Sequence, residues 1–316
     1  MLGRASLHAA TSGDDLLMRI ANAPCSWGVL EFEETAGQSP AFATVLDEIA
    51  ATGYIGTELG DWGFMPTEPQ ALRVELDRRK LAMLGAFVPV KLADPSAHEP
   101  GIATAVRTAR LLAASGDASN LIVLADDSGT DANRVARAGR ITKRDSLSAA
   151  DWSTFSRGAE AVAKAVRDET GLRTVFHPHC AGFIETPWEI DELMGRTDPS
   201  LLGLCYDTGH LSFGGGDPVE ILRTYMRRIW HVHFKDFSPA AFARTRAESL
   251  DYSGAIRLGI FCELGKGSVD FRSVLNELRR AQYGGWIVVE QDVLPGMGTP
   301  AESAQRNREY LKQLGV

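Results

Sequence analysis

Cysteine is scarce in this sequence, and that shortage disfavours two kinds of protein. Only four cysteines occur in 316 residues, and no two of them form a CxxC pair. Neither a disulfide framework nor a cysteine-based zinc site is therefore expected, and a reducing, cytoplasmic location fits. Long apolar runs are missing too, since none reaches the roughly 18 to 20 residues that span a bilayer. We therefore expect no membrane segment and no membrane partner.

Positive charge is also in short supply, because 33 lysines and arginines face 41 acidic residues and the net charge is −8. Such a molecule repels polyanions, so we expect no nucleic-acid partner and instead a small molecule of little charge. Phosphate-binding motifs are absent as well. No GxGxxG follows the first strand-like segment, and the three glycines at 214–216 lack a following Lys-Ser/Thr. They are interpreted as a turn before a helix that begins near Asp217 and Pro218.

What the sequence does contain is a regular alternation of short apolar runs with amphipathic stretches. This is the pattern of βα units around a parallel sheet. The eight predicted strands are 19–27, 55–60, 81–90, 120–126, 173–179, 201–207, 229–236 and 285–292. Eight such units in this length predict an α/β protein with a closed (β/α)8 TIM barrel. We expect residues 1–17, which are mostly small and polar, to be a disordered extension and residues 18–316 to be a single domain.

Polar side chains concentrate at the carboxyl ends of the predicted strands, where barrel enzymes carry their chemistry. They are Glu58, His177, His179, Asp207, His210, His231, His233, Asp236, Glu290 and Asp292. Residues two apart on a strand point to the same side, so His177 shares a side with His179, and His231 with His233. So many imidazoles and carboxylates close together are costly without a cation. The pattern predicts a divalent metal site for Mn, Co, Zn or Mg, made of two imidazoles and two carboxylates.

Three of these strand ends resemble one known family. YDTGH (206–210), HVHFKD (231–236) and VVEQD (288–292) are similar to motifs of the xylose-isomerase-like barrels, which include sugar isomerases, ketose 3-epimerases and inosose dehydratases. The resemblance covers nearly the whole chain after residue 18. It implies that Asp207, His233 and Glu290 are metal ligands. The isomerases and epimerases usually place a glutamate at the end of strand five, where this chain has His177, and we expect His177 to be the fourth ligand.

Other segments look more like the inosose dehydratase branch of that family. They are GTELG (56–60), FHPH (176–179), IET (184–186) and GIFCELGKGSVDF (259–271). That branch removes water from 2-keto-myo-inositol, so the resemblance implies a small keto-polyol substrate and an enediolate stabilised by the metal. Reprotonation of the same enediolate would instead isomerise or epimerise the substrate, and this alternative stays open.

Roles for single residues are hypotheses at this stage. We expect Glu290 to act as a base as well as a ligand, and the acid that helps the hydroxyl leave to be His179, His231 or Lys266. The residues expected to line the pocket or hold the substrate are Glu58, His210, Trp27, Lys91 and Asp236.

Two long connections, 127–148 and 237–267, follow strands four and seven on the face where we expect the chemistry. Loops of this length in a compact domain are often lids or binding loops. The first contains five basic residues, namely Arg134, Arg137, Arg140, Lys143 and Arg144. A solvated loop and a substrate-covering lid both remain open for it.

Other functions compete with this one. An apurinic endonuclease uses the same barrel with three zinc ions, but the sequence lacks the extra histidines of that family and the positive groove that DNA requires. A barrel that has kept the ligands and binds without catalysis stays open. Association into a homo-oligomer through the helical shell also stays open.

Overall fold

The computed structural model shows a parallel sheet wrapped into a barrel and surrounded by helices, as the alternation of apolar runs predicted. The fold class, an α/β TIM barrel, is thereby confirmed. The structure describes residues 18–28, 40–115, 119–293 and 296–316. The extension expected at 1–17 lies outside the described residues.

Eleven strands are described, nine of them in the barrel sheet. In chain order they are β1 (Arg19–Asn22), β2 (Gly56–Thr57), β3 (Ala82–Met83), β4 (Gly85–Val90), β5 (Leu121–Asp126), β6 (Arg173–Phe176), β7 (Leu202–Asp207), β8 (Ile229–Phe234), β9 (Asp236–Phe237), β10 (Phe261–Cys262) and β11 (Trp286–Val289). The barrel order is β3-β2-β1-β11-β8-β7-β6-β5-β4, and every neighbouring pair is parallel. β9 and β10 form a separate antiparallel hairpin.

The barrel closes at a predicted strand that is broken in two. Residues 81–90 form β3 and β4, which are separated by Leu84 and lie at opposite ends of the strand order. The Leu84 amide donates to the carbonyl of Thr57, and the Leu84 carbonyl accepts from the amide of Leu121. One pass of the chain therefore joins β2 on one side to β5 on the other, which leaves eight passes in the barrel.

Twelve described α-helices cover the outside of the sheet or cap its ends. They are α1 (Phe42–Ala51), α2 (Pro69–Arg79), α3 (His98–Ser115), α4 (Ala132–Arg137), α5 (Ala149–Thr170), α6 (Pro187–Arg196), α7 (Thr208–Phe213), α8 (Pro218–Tyr225), α9 (Pro239–Ala247), α10 (Tyr252–Arg257), α11 (Phe271–Arg280) and α12 (Pro300–Gln313). The predicted helix after the glycine run is confirmed as α8, because Pro218 starts it and the Asp217 carboxylate accepts from the amides of Val219 and Glu220. Of the described helices, none has the length and apolar content that crossing a membrane requires.

The main hydrophobic core lies between the barrel and the helices. On α5, for example, Phe155, Ala159, Val162 and Val166 recur at helical spacing and are completely buried. Each large apolar side chain buried in this layer stabilises the fold by about 1.5–3 kcal/mol. This layer fixes the strand positions, and with them the strand ends that carry the site.

The two long connections contain regular structure of their own. The segment 127–148 holds α4 and a short 3-10 turn at Lys143–Asp145. The segment 237–267 holds α9 and α10 between the two strands of the β9–β10 hairpin. Strands were predicted too long at their carboxyl ends. β6 ends at Phe176, so His177 and His179 lie on the loop that follows it.

Candidate active site

Four donor side chains meet at the carboxyl end of the barrel. His177, Asp207, His233 and Glu290 are all buried, and one ligand atom from each lies within 4.8 Å of the others. They come from the ends of β6, β7, β8 and β11, which are neighbours in the sheet. Since parallel strands all end on one side of a barrel, residues far apart in sequence converge there.

The geometry inside this cluster fits a cation. Asp207 Oδ2 lies 3.5 Å from His177 Nε2 and 3.8 Å from His233 Nδ1, and Glu290 Oε1 lies 3.2 Å from His233 Nδ1. Among the described residues, both ring nitrogens of His177, Asp207 Oδ2 and His233 Nδ1 are buried without a hydrogen-bond partner. Buried polar atoms rarely stay unsatisfied, and a divalent ion would satisfy Asp207 Oδ2, His233 Nδ1 and one of the two His177 nitrogens. This mixed imidazole and carboxylate set could hold such an ion.

Glu58 orients one of these donors from below. Its Oε1 accepts from His231 Nε2 at 2.6 Å and from His233 Nε2 at 2.9 Å, which turns Nδ1 of His233 toward Asp207 and Glu290. Burial alone would raise the pKa of Glu58, but His233 and His231 outweigh it and hold that pKa well below its usual range. Such carboxylate partners fix the orientation of metal-binding imidazoles. His231 lies beneath Glu58 and outside the cavity that Glu58 lines.

A buried lysine beside the cluster was missed from the sequence. Lys235 is 3% exposed, and its Nζ lies 3.1 Å from Glu290 Oε2 and 3.4 Å from Asp292 Oδ1. Burial would lower the pKa of Lys235, but Asp292, Glu290 and Asp207 raise it well above its usual value, so the ammonium is charged. The signal was present in HVHFKD, since residues 231, 233 and 235 share one side by the two-residue period of a strand.

The prediction that Asp236 holds substrate is wrong because the two-residue period of a strand turns residue 236 away from the side that residues 231, 233 and 235 share. Asp236 points to the opposite side from Lys235 and is completely buried. Its carboxylate accepts four backbone N–H bonds of 2.8–3.1 Å, from Phe237, Gly265, Gly267 and Val269. With its oxygens committed to the backbone of 237–269, it organises that segment rather than the cavity.

Three other sequence-predicted residues are not brought to the cavity. Trp27 is buried and its Nε1 donates to Glu48 on α1, so it packs the barrel against that helix. Lys91 and Lys266 are exposed, and neither lines the cavity. Lys266 belongs to the turn that wraps the Asp236 carboxylate, where a Cβ at Gly267 would come within 2.3 Å of Asp236 Oδ1.

His179 lines the cavity, and His210 lies behind it. The two rings are 4.0 Å apart, and His210 Nδ1 accepts from the amide of Cys180. His179 Nδ1 donates to the carbonyl of Cys180, so Nε2 is left as an acceptor in the neutral ring. Burial, His177 and Lys235 lower the pKa of His179 to about 3, which keeps the ring neutral.

The pKa values of the carboxylates around the cavity are shifted in opposite directions. Burial would raise the pKa of Asp207, but His177 and Lys235 lower it to about 2, so it is ionised. Burial raises the pKa of Asp292, although Lys235 opposes the rise. Cys25, Asp61, Phe87 and Tyr252 also line the cavity. Cys25 is on a short 3-10 helix after β1, Asp61 is on the loop after β2, Phe87 is on β4 and Tyr252 is on α10.

Comparison with known proteins agrees with this architecture. A family model described as xylose isomerase-like TIM barrel matches residues 46–314. The inosose dehydratase of Geobacillus kaustophilus is 33% identical over 299 residues, which cover 94% of each chain. The structure of the probable 3-DHS dehydratase of Bacillus anthracis gives a TM-score of 0.66 at 17% identity, over 93% of this chain and 99% of the other. The 3-keto-D-glucoside 4-epimerase of E. coli gives 0.67 at 16%, over 95% and 99%. At these identities the two structures establish the fold alone.

Proposed function

Since the chain belongs to the xylose isomerase-like TIM barrel family, we propose that it is a divalent-metal-dependent enzyme that removes water from a small cyclic keto-polyol. The observation that carries the proposal is the buried set His177, Asp207, His233 and Glu290, next to the charged Lys235. The relative at 33% identity is named inosose dehydratase, so 2-keto-myo-inositol is the first substrate to test.

The four donors would hold the ion. Two imidazoles among them favour Mn, Co or Zn over Mg, which prefers oxygen ligands. When bound, such an ion supplies positive charge that polarises a ketone and eases loss of the neighbouring proton. Glu58 contributes by keeping His233 Nδ1 aimed at the ion.

One of the donors, Glu290, and the neighbouring Lys235 are suited to proton transfer. Dehydration takes a proton from the carbon beside the ketone and gives one to the departing hydroxyl, which leaves as water. We assign the first step to Glu290, whose Oε2 accepts from Lys235 Nζ. Lys235 Nζ also holds the proton that the hydroxyl needs, and it replaces His231 and Lys266 as the acid because neither of those lines the cavity. His179 Nε2, as an acceptor, orients a substrate hydroxyl.

The test is turnover of 2-keto-myo-inositol by purified protein loaded with Mn or Co. Growth of ultraviolet absorbance from a conjugated dione, with loss of substrate in the NMR spectrum, is the expected result. The control is Asp207→Asn treated with metal in the same way. If neither the absorbance nor the NMR spectrum changes, with metal bound and the fold intact, the proposal is rejected.

A metal-dependent isomerase or epimerase is the second candidate, since one solved structure of this fold is an epimerase. The same experiment in deuterated water separates the two. Deuterium uptake into the substrate without a dione would favour the second candidate. The replacement of a glutamate by His177 removes one carboxylate base from this site and favours the dehydratase.

A further inference from the structure

A buried ion pair ties the connection after β5 to the loop that carries His177 and His179. Arg134 on α4 and Glu189 on α6 are both 0% exposed. The guanidinium donates twice to the carboxylate, at 2.8 Å to Oε1 and 3.0 Å to Oε2, and its Nε donates to the carbonyl of Gly182 at 2.7 Å. A fully buried arginine is incompatible with a solvated loop, so part of 127–148 is a fixed component of the site's surroundings.

Three buried carboxylates hold the backbone of that loop from the other side. Glu189 Oε2 accepts from the amides of Glu185 and Thr186, both at 3.0 Å. Glu185 Oε2 accepts from Ala181 at 3.0 Å while its Oε1 accepts from Gly139 at 2.7 Å. Asp126 at the end of β5 accepts from the amide of Phe183 at 2.9 Å. The loop between His179 and α6 is therefore held by side chains rather than by a strand ladder.

The held segment includes a strained residue directly beside the site. Ala181 has a φ of +67°, a conformation that alanine adopts only when its surroundings impose it. The neighbouring Cys180 uses its carbonyl to accept from His179 Nδ1 and its amide to donate to His210 Nδ1. The orientation of the His179 ring thus depends on the backbone at 180–182, where Arg134 donates a hydrogen bond to the Gly182 carbonyl.

We infer that Arg134 is a positioning residue for His179, acting through Gly182 and Glu189 without touching the substrate. The expected effect of Arg134 on turnover rests on the proposed function, whereas its effect on the conformation of the loop does not. The five basic residues of 127–148 then divide in function, since Arg140 is half-buried at the surface and Arg134 alone enters the buried network.

The test variant is Arg134→Lys, which keeps the charge but loses the planar fork. The matched control is Arg228→Lys, because Arg228 also donates to backbone carbonyls, at Leu202 and Met194, but on the side of the barrel away from the site. Hydrogen exchange of the peptide covering 177–186 reports the loop without any assay of activity. Turnover of 2-keto-myo-inositol is then measured for both variants, and for Arg134→Lys combined with His179→Ala.

We expect Arg134→Lys to speed exchange in 177–186 and to lower kcat by about 10- to 100-fold with little change in KM. In the His179→Ala background, Arg134→Lys should lower kcat no further. Arg228→Lys should change neither hydrogen exchange in 177–186 nor kcat. Unchanged exchange, or an equal effect on kcat with and without His179, would overturn the inference. If Arg134→Lys does not fold, the neutral pair Arg134→Met with Glu189→Gln serves the same test. A wild-type protein that turns over no keto-inositol would count against the proposed function alone, and the exchange result would still decide the inference.

Discussion

The two ends of the barrel are built from opposite materials. At the carboxyl end, buried carboxylates and imidazoles crowd around Lys235, and several of their atoms lack partners among the described residues. At the amino end, a cavity of about 320 Å3 is bordered by Arg19 stacked 4.2 Å from Trp286 and by Arg173 stacked 5.2 Å from Trp230. No carboxylate lies among the described residues that line this lower cavity. Chemistry is concentrated at one end and packing at the other, as is general for this fold.

Glycines show the same division. At the amino end, a Cβ at Gly56 would meet the Trp286 ring at 2.9 Å and one at Gly203 would meet the Trp230 ring at 2.4 Å. These glycines admit large rings that fill the barrel. At the carboxyl end, unsatisfied polar atoms instead lower stability. This difference indicates that the fold is stabilised mostly away from the site. The site can therefore contain buried polar groups that lower the stability of the fold.

Asp207→Asn, at the carboxyl end of the barrel, should have the largest effect on turnover while leaving the fold intact. The side chain caps α7 by accepting from the His210 amide, and asparagine can do the same, so the fold should persist. Loss of the charged ligand should weaken metal binding and lower kcat by roughly 1,000-fold or more. Metal content after dialysis and turnover measure the two effects. Full metal occupancy with normal turnover would remove Asp207 from the site.

Lys235→Met should come next, with kcat lower by about 100-fold, because the proton at Nζ and the charge facing Glu290 and Asp292 are both lost. Bound metal should remain. Lys266→Met is the matched control, since this exposed lysine lies outside the cavity, and its kcat should stay within about twofold of wild type. An equal loss in both variants would contradict the assignment.

Trp286→Ala tests the amino end of the barrel, where a substitution should lower stability rather than turnover. Removing this ring, which is 8% exposed, should lower the free energy of unfolding by about 3–5 kcal/mol and leave kcat unchanged. Trp62→Ala is the control, because Arg107 also stacks on Trp62 at 4.1 Å but the ring is 38% exposed. Its loss should be about 1 kcal/mol or less. Urea denaturation measures both, and a large fall in kcat for Trp286→Ala would break the comparison.

The last expected effect concerns the pH dependence of stability. Burial raises the pKa of Glu185 from 4.5 to about 7, although the Ala181 amide and Arg134 oppose the rise. Folded protein therefore keeps a proton that unfolded protein loses, and the contribution of Glu185 falls by up to about 3 kcal/mol as pH rises from 4.5 to 7. Glu185→Gln should lack this loss. Urea denaturation of metal-stripped protein at pH 5 and pH 8 tests it, and parallel behaviour of the two proteins would disprove it.

The fold could be predicted because its signals are local. Apolar runs, amphipathic spacing and the Asp217-Pro218 start of α8 each occupy a few neighbouring residues. The break at Leu84 was not predicted, since residues 81–90 are uniformly apolar and only the closure of the barrel separates β3 from β4.

The site could be predicted only where strand ends fix it. His177, Asp207, His233 and Glu290 were among the polar residues at strand ends, the family resemblance singled them out as ligands, and the structure brings them together. Lys235 was missed because Asp236 was taken as the polar end of the same strand. The pairing of Arg134 with Glu189 depends on two connections meeting in space, and no periodic pattern in the sequence records that meeting.

The pairing of β1 with β11 also sets the order in which this molecule can be assembled during synthesis. Besides β2, Arg19–Asn22 pairs with Trp286–Val289, a strand that is synthesised long after it. Domains form as synthesis proceeds at about 5–20 residues per second, so His177, Asp207 and His233 emerge while Glu290 is still awaited. A nascent chain therefore offers an incomplete set of ligands on an open sheet. The proposed metal would meet the complete set of donors only after β11 has closed the barrel.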